Sequence, residues 1–309
     1  MEGHMEKRNG GPAGGPGRGM RPDKSKDAIL TQMKEKTSPL FSYHENASGA
    51  LGGMCGYYLF EPRPSDALKT DSLPMVVFIP DASCVGCEKE YVLTQGWGGL
   101  IWAEAEEQKR HPSYVLVPVF SEVVVQDDYS HSDQIDVLTE LIKDLAAALP
   151  VDRNRIYITG QSMGGMTAFY LSIANPDIFA AYLFAGCQWD NGPVSEALRD
   201  RPFFYIVSSG DRKASAGQKE LMDIFTSHAV PFSFSEWSAR DDMSLQDEMV
   251  HRMLSEGNSA NFVSFAPGTT VPEGEPVPEG AGEHMTSFDC VYRIGAVRNW
   301  LFSQMREDL

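Results

Sequence analysis

Apolar and polar positions in this chain follow two alternating periods. Short, nearly unbroken apolar runs occur at residues 56–60, 75–79 and 114–119, and they predict strands. The run at 114–119 has no polar interruption, which predicts a strand buried on both faces, as in a parallel sheet. Residues 133–149 instead space Ile135, Leu138, Leu141, Ile142, Leu145 and Leu149 at a helical period, and Pro150 ends the helix. Residues 91–110 also predict mostly helix, with Trp97 and Trp102 on its apolar side. Further strands are expected at 179–184, 203–207, 232–237 and 261–265. Further helices are expected at 219–228 and 243–254, with an amphipathic helix over 291–305 closing the chain. Strands alternating with helices at this spacing predict an α/β fold with a doubly wound, mainly parallel sheet flanked by helices.

Two stretches lack either period. Residues 1–25 are rich in Gly and Pro and predict a disordered tail ahead of a single domain over 26–309. Residues 266–283 hold Pro, Gly and Glu and predict a loop that little packing can fix.

Composition narrows the function. A net charge of −17 argues against nucleic-acid binding, which needs clustered Lys and Arg, and against anionic membrane surfaces. No run of about eighteen apolar residues exists to span a membrane. Residues 1–20 lack the apolar core of a secretory signal, so a cytoplasmic location is expected. The five cysteines are an odd number and predict free thiols. Cys84 and Cys87 have the spacing of half a zinc site or of a redox pair, but no second pair completes it. No metal and no cofactor are expected, and a homo-oligomer is compatible with the sequence.

The chemistry lies in Gly160-Gln161-Ser162-Met163-Gly164, between an apolar β-branched run and a helical stretch. This is Gly-x-Ser-x-Gly in the setting of a nucleophile elbow, the strained turn that lifts a serine hydroxyl above a sheet edge in the α/β-hydrolases. Glycines two before and two after the serine let strand and helix close together. A serine hydroxyl needs a base, most often a histidine held by a carboxylate, and in that fold the order is Ser, Asp or Glu, His. Three histidines follow Ser162. His228 falls at a helix end and His251 on a charged helix face. His284 is expected in a loop between the last strand and the final helix, where the base has to be. The acid expected is Asp211, just past the second strand after the elbow. Asp190 follows the first of those strands and is the alternative, and Asp289 is expected to cap the last helix. Oxyanion donors are expected at the Met163 N–H and at Asp81 or Ala82, because Pro80 has no N–H. Trp97, Gln188 and Trp189 are candidate pocket walls, although both tryptophans could equally pack in the core.

The stretch Asp152-Arg153-Asn154-Arg155-Ile156-Tyr157 leading into Gly-Gln-Ser-Met-Gly-Gly resembles polyhydroxybutyrate-depolymerase-like and feruloyl-esterase-like α/β-hydrolases. Within them it is closest to bacterial proteins labelled predicted peptidases. The resemblance runs from about residue 40 to the C-terminus and takes in 94–99, 188–190, 209–211 and 298–302. It implies a Ser–Asp–His triad of Ser162, Asp211 and His284 acting on carboxylic esters of small molecules. Many relatives carry His-Gly where this chain has Pro80-Asp81, a change that a backbone donor survives. A serine esterase is therefore expected. The competing readings are a peptidase or amidase with the same triad, and a catalytically silent scaffold that binds a ligand.

Overall fold

A computed structural model describes residues 22–46, 50, 52–62, 72–277 and 282–306. The strands are β1 (Ser42–Glu45), β2 (Gly56–Phe60), β3 (Leu73–Ile79), β4 (Tyr114–Val119), β5 (Val151–Gln161), β6 (Ala181–Ala185), β7 (Phe203–Ser208), β8 (Phe232–Trp237) and β9 (Ala260–Phe265). They form one nine-stranded sheet in the order β1-β2-β4-β3-β5-β6-β7-β9-β8. The β1–β2 and β2–β4 pairs are antiparallel, and every other pair is parallel. This is the mainly parallel, helix-flanked sheet that the alternating pattern predicts.

The helices are α1 (Ala28–Lys36), α2 (Tyr91–Thr94), α3 (Ala105–Arg110), α4 (Gln134–Ala148), α5 (Met163–Ala174), α6 (Asn191–Leu198), α7 (Arg212–Ser227), α8 (Met243–Leu254), α9 (His284–Arg293) and α10 (Gly295–Ser303). They divide between the two faces because side chains alternate along a strand. Met75, Val77 and Ile79 of β3 join one core with Ile135, Phe169, Val194 and Leu221 from α4 to α7. Val76 and Phe78 join the other with Leu30, Val92, Val250, Tyr292 and Leu301, from α1, α2 and α8 to α10. Each such fully buried aliphatic side chain stabilises by roughly 1.5–3 kcal/mol, so both faces must be covered. No helix among the described residues is long and apolar enough to cross a membrane.

The sheet order creates the crevice. From β3 the chain passes to β4 on one side, then returns across β3 to β5 and continues outward on the other. Such a reversal opens a cleft at the carboxyl ends of the strands. Ser162 follows β5 at this cleft.

Several elements depart from the expected ones. Residues 91–110 are not one helix but α2, two short 3₁₀ turns (Trp97–Gly99 and Ile101–Ala103) and α3. Gly98 is the reason: a Cβ there would lie 2.4 Å from the Phe78 ring, so the segment packs by backbone contact rather than along a helical stripe. The closing helix is two, broken at Ile294. α7 starts well before residue 219, because its first turns bury Ala214, Gly217 and Gln218 rather than large apolar groups. Most of the expected tail lies outside the described residues, but within it Lys24 pairs with Asp289 at 2.8 Å. The 266–283 loop is better held than its composition suggests: Thr270 and Val271 are buried, and Arg240 donates to the carbonyls of Gly268 and Val271. Its residues 278–281 lie outside the described ones.

Candidate active site

β5 ends against β3 with Ile79 opposite Gly160 and against β6 with Gln161 opposite Ala185. Ser162 then turns sharply, with φ 51° and ψ −118°, before α5 begins at Met163. Positive φ is strained for a residue with a side chain, and such strain gathers at functional sites. The surroundings enforce it. Ser162 N donates to Ala185 O at 3.0 Å, and its carbonyl accepts from Met166 N at 2.9 Å. A Cβ at Gly164 would lie 1.9 Å from Ile79 O, and one at Gly160 would lie 2.3 Å from the Gly164 carbonyl carbon. Both positions therefore have to be glycine for the helix to sit down on the strand.

His284 Nε2 lies 2.8 Å from Ser162 Oγ, and its Nδ1 lies 2.5 Å from Asp211 Oδ2. The carboxylate accepts the Nδ1 proton, which leaves Nε2 to accept from the serine hydroxyl; the network assigns this tautomer. Asp211 is 3% exposed, and its other oxygen accepts from Ala214 N at 3.2 Å. The same carboxylate thus caps α7 and orients the imidazole. Phe288 presses edge-on to the imidazole with centroids 5.0 Å apart. His284 is not in a loop, as expected, but is the first residue of α9. Nor does Asp289 cap the last helix: it sits inside α9, accepts from Trp97 N and forms an ion pair with Lys24. Asp190 caps α6 by accepting from Gly192 N.

Met163 opens α5, and Ala82 opens the 3₁₀ turn Ala82–Cys84, so both N–H groups stand at helix starts that have no partner within the helix. The close approach of Gly164 to Ile79 and Pro80 brings these two starts together. Asp81 does something its sequence position does not reveal. Its buried carboxylate accepts from Ser83 N and from Gln161 Nε2, both at 2.8 Å, and Gln161 also donates to Gln95 at 2.7 Å. The turn after β3 is thereby fastened to the residue before Ser162.

The candidate walls separate. Trp97 belongs to the second core: its indole N–H donates to Asp27 at 2.7 Å, and the Arg293 guanidinium lies 5.0 Å over its ring. Gln188 and Trp189 follow β6 at the carboxyl edge. Gln188 donates to Asp127 at 3.2 Å, and Trp189 meets Tyr129 edge-on at 5.3 Å. Asp127 also pairs with Lys213. Asp127 and Tyr129 belong to a hairpin closed by the Val125–His131 bridge, with Tyr129 at φ 68° and 49% exposed. This hairpin leans on the segments after β6 and β7 and forms a rim that no sequence period marks.

Cys187 lies behind the elbow, where burial first and the Asp211 charge second push its thiol well above the usual range. Cys84 and Cys87 occupy the ends of a turn closed by Cys87 N on Cys84 O at 3.3 Å, and none of the five cysteines forms a disulfide. Among the described residues no group of three or more His, Cys, Asp or Glu could hold a metal ion.

Comparison with known proteins adds to this geometry. Residues 101–251 match the family model described as "Putative esterase". No curated protein matches the sequence. A thermostable esterase matches in structure with TM-score 0.64 at 20% identity, over 87% of this chain and 64% of that one. This chain therefore spans less than two thirds of that esterase. The feruloyl esterase module from Clostridium thermocellum, a serine-to-alanine mutant complexed with sinapinate, matches with TM-score 0.51 at 12% identity, over 87% of this chain and 89% of that one. The poly(3-hydroxybutyrate) depolymerase LpqC from Bordetella parapertussis gives TM-score 0.47 at 13% identity, over 82% and 85% of the two chains. The family match over residues 101–251 thus takes in Gly160 to Gly164, and the sheet with its flanking helices has the α/β-hydrolase fold.

Proposed function

We propose that this single-domain protein hydrolyses carboxylic esters of small molecules through an acyl-enzyme. The observation that carries the reading is the continuous relay from Ser162 Oγ through the imidazole of His284 to Asp211. As Ser162 Oγ attacks the ester carbonyl, His284 Nε2 takes its proton, and the Asp211 carboxylate stabilises the imidazolium. The oxyanion is held by the N–H groups of Met163 and of Ala82 in the turn after β3. Collapse of the tetrahedral adduct expels the alcohol, which leaves with the proton from His284. Water then enters, gives a proton to His284, and attacks the acyl-serine; the acid departs as Ser162 regains its proton. No cofactor takes part. Five cysteines without a disulfide fit the reducing interior of a cell, which supports the cytoplasmic reading.

A fluorophosphonate followed by peptide mapping tests the assignment. The expected result is one adduct on Ser162 that forms far more slowly in His284→Ala. Labelling at another serine, or none, counts against it. Turnover of matched ester and anilide substrates separates esterase from amidase, and an anilide rate equal to the ester rate would favour the latter.

A further inference from the structure

The residue before the base is Glu283, 2% exposed. Burying a carboxylate costs several kcal/mol unless its oxygens are satisfied. Here four donors satisfy them. Gly268 N donates to Oε1, while Ser208 Oγ at 2.9 Å, Thr270 Oγ1 at 2.7 Å and Thr270 N at 3.4 Å donate to Oε2. These donors come from two separate places, the end of β7 and the loop after β9. Ser208 is also the start of the turn that delivers Asp211: its hydroxyl accepts from Gly210 N at 3.1 Å, and its carbonyl accepts from Asp211 N at 3.0 Å. A Cβ on Gly210 would lie 1.8 Å from Glu283 Oε1, so the turn is shaped around this carboxylate. On the other side, the Glu283 carbonyl accepts from Ser287 N and Thr286 Oγ1 and so anchors the first turn of α9, which begins with His284.

We propose that Glu283 is a positioning residue for the reaction above: its carboxylate clamps the turn carrying Asp211 to the helix start carrying His284. The inference rests on the proposed Ser162–His284–Asp211 chemistry and adds to it. The long loop after β9 could leave the imidazole displaced by a fraction of an ångström, and the clamp fixes it where both neighbours bind. A purely structural carboxylate would affect folding alone. A positioning one affects kcat through the Asp211–His284 contact, and it does so only while that contact exists.

The experiment is steady-state kinetics on a short-chain ester for wild type, Ser162→Ala, Glu283→Gln, Glu283→Ala, Asp211→Asn and the Asp211→Asn/Glu283→Ala double variant, with fold checked by circular dichroism. Gln keeps one oxygen for Gly268 N, and its amide can donate to the rotatable hydroxyls of Ser208 and Thr270, so it rescues in part. Ala keeps nothing. Glu283→Ala is expected to lower kcat about 100-fold, the scale of a misplacement near 1 Å, and Glu283→Gln about tenfold or less, with KM little changed. In the Asp211→Asn background the Ala substitution should cost less than about threefold, because the contact it protects is already lost. Equal kcat in all Glu283 forms, a full additional loss in the double variant, or loss of the folded state in both Gln and Ala would each overturn the proposal. An active Ser162→Ala would instead overturn the reading of the site itself.

Discussion

Asp190 and Asp211 leave the sheet in parallel ways. Each follows a buried parallel strand, β6 for one and β7 for the other, and each heads a helix whose first-turn N–H it accepts at 3.2 Å. Their surroundings then diverge. Asp190 is half-buried, whereas Asp211 is enclosed and sets its second oxygen on the imidazole of His284. Sheet order explains the choice. β7 is hydrogen-bonded to β9, whose chain continues through the 266–283 loop into His284, while β6 lies between β5 and β7. Helix capping is thus a generic use of an aspartate after a strand. The neighbouring strand decides which aspartate also meets His284.

The largest effect should come from breaking the Asp211 side. Asp211→Asn keeps the acceptor for Ala214 N but turns an N–H toward His284, which forces the imidazole to present its other nitrogen as the acceptor. Its Nε2 then carries a proton and cannot take one from Ser162, so kcat should fall on the order of 10⁴-fold with the fold intact. Next is Gly210→Ala, whose Cβ would collide with the Glu283 carboxylate. It should lower kcat roughly 100-fold by shifting the turn that carries Asp211. Asp190→Asn is the matched control: Asn caps a helix about as well as Asp, so the melting temperature should be unchanged and kcat should stay within about twofold of wild type. If the two Asp→Asn variants ranked the other way, the acid would have to move to Asp190. The smallest effect is expected at Gly192, where an added Cβ would meet only the Asp190 carboxylate at 3.5 Å. Gly192→Ala should leave kcat unchanged and raise stability by about 0.5–1 kcal/mol, read as a small rise in melting temperature.

How much of this was legible depended on whether backbone or side chain carried the information. The elbow could be read because a strand–turn–helix junction this tight demands glycine at 160 and 164, and a glycine requirement survives as a pattern in the sequence. Asp211 could be read because a short turn places it three residues past a recognisable strand, β7. His284 followed from the elimination of His228 and His251, yet its position as the first residue of α9 did not. The signal for a longer closing helix was masked by Gly295 and by the polar first turn of α9.

Side-chain constellations were the part that pattern could not supply. Glu283 looks like one more acid in a Pro/Gly/Glu stretch, and its role emerges only when Ser208, Gly268 and Thr270 converge on it from distant parts of the chain. Asp81 was marked for its backbone, but its carboxylate reaches Gln161 across eighty residues. Trp97 was a candidate either for a pocket wall or for the core, and Asp27 and Arg293 hold it in the core. In each case the deciding partner belongs to another element, so no local period records it.

The central claim is that Ser162 is the nucleophile of an ester hydrolase, and its most direct test is the turnover of a short-chain ester by Ser162→Ala. The variant keeps the fold, because the serine hydroxyl faces the cleft and the bond from Ser162 N to Ala185 O is made by the backbone. Ester turnover is expected to drop by roughly 10⁴-fold or more, with an unchanged circular dichroism spectrum. Hydrolysis near the wild-type rate by the folded variant would contradict the account.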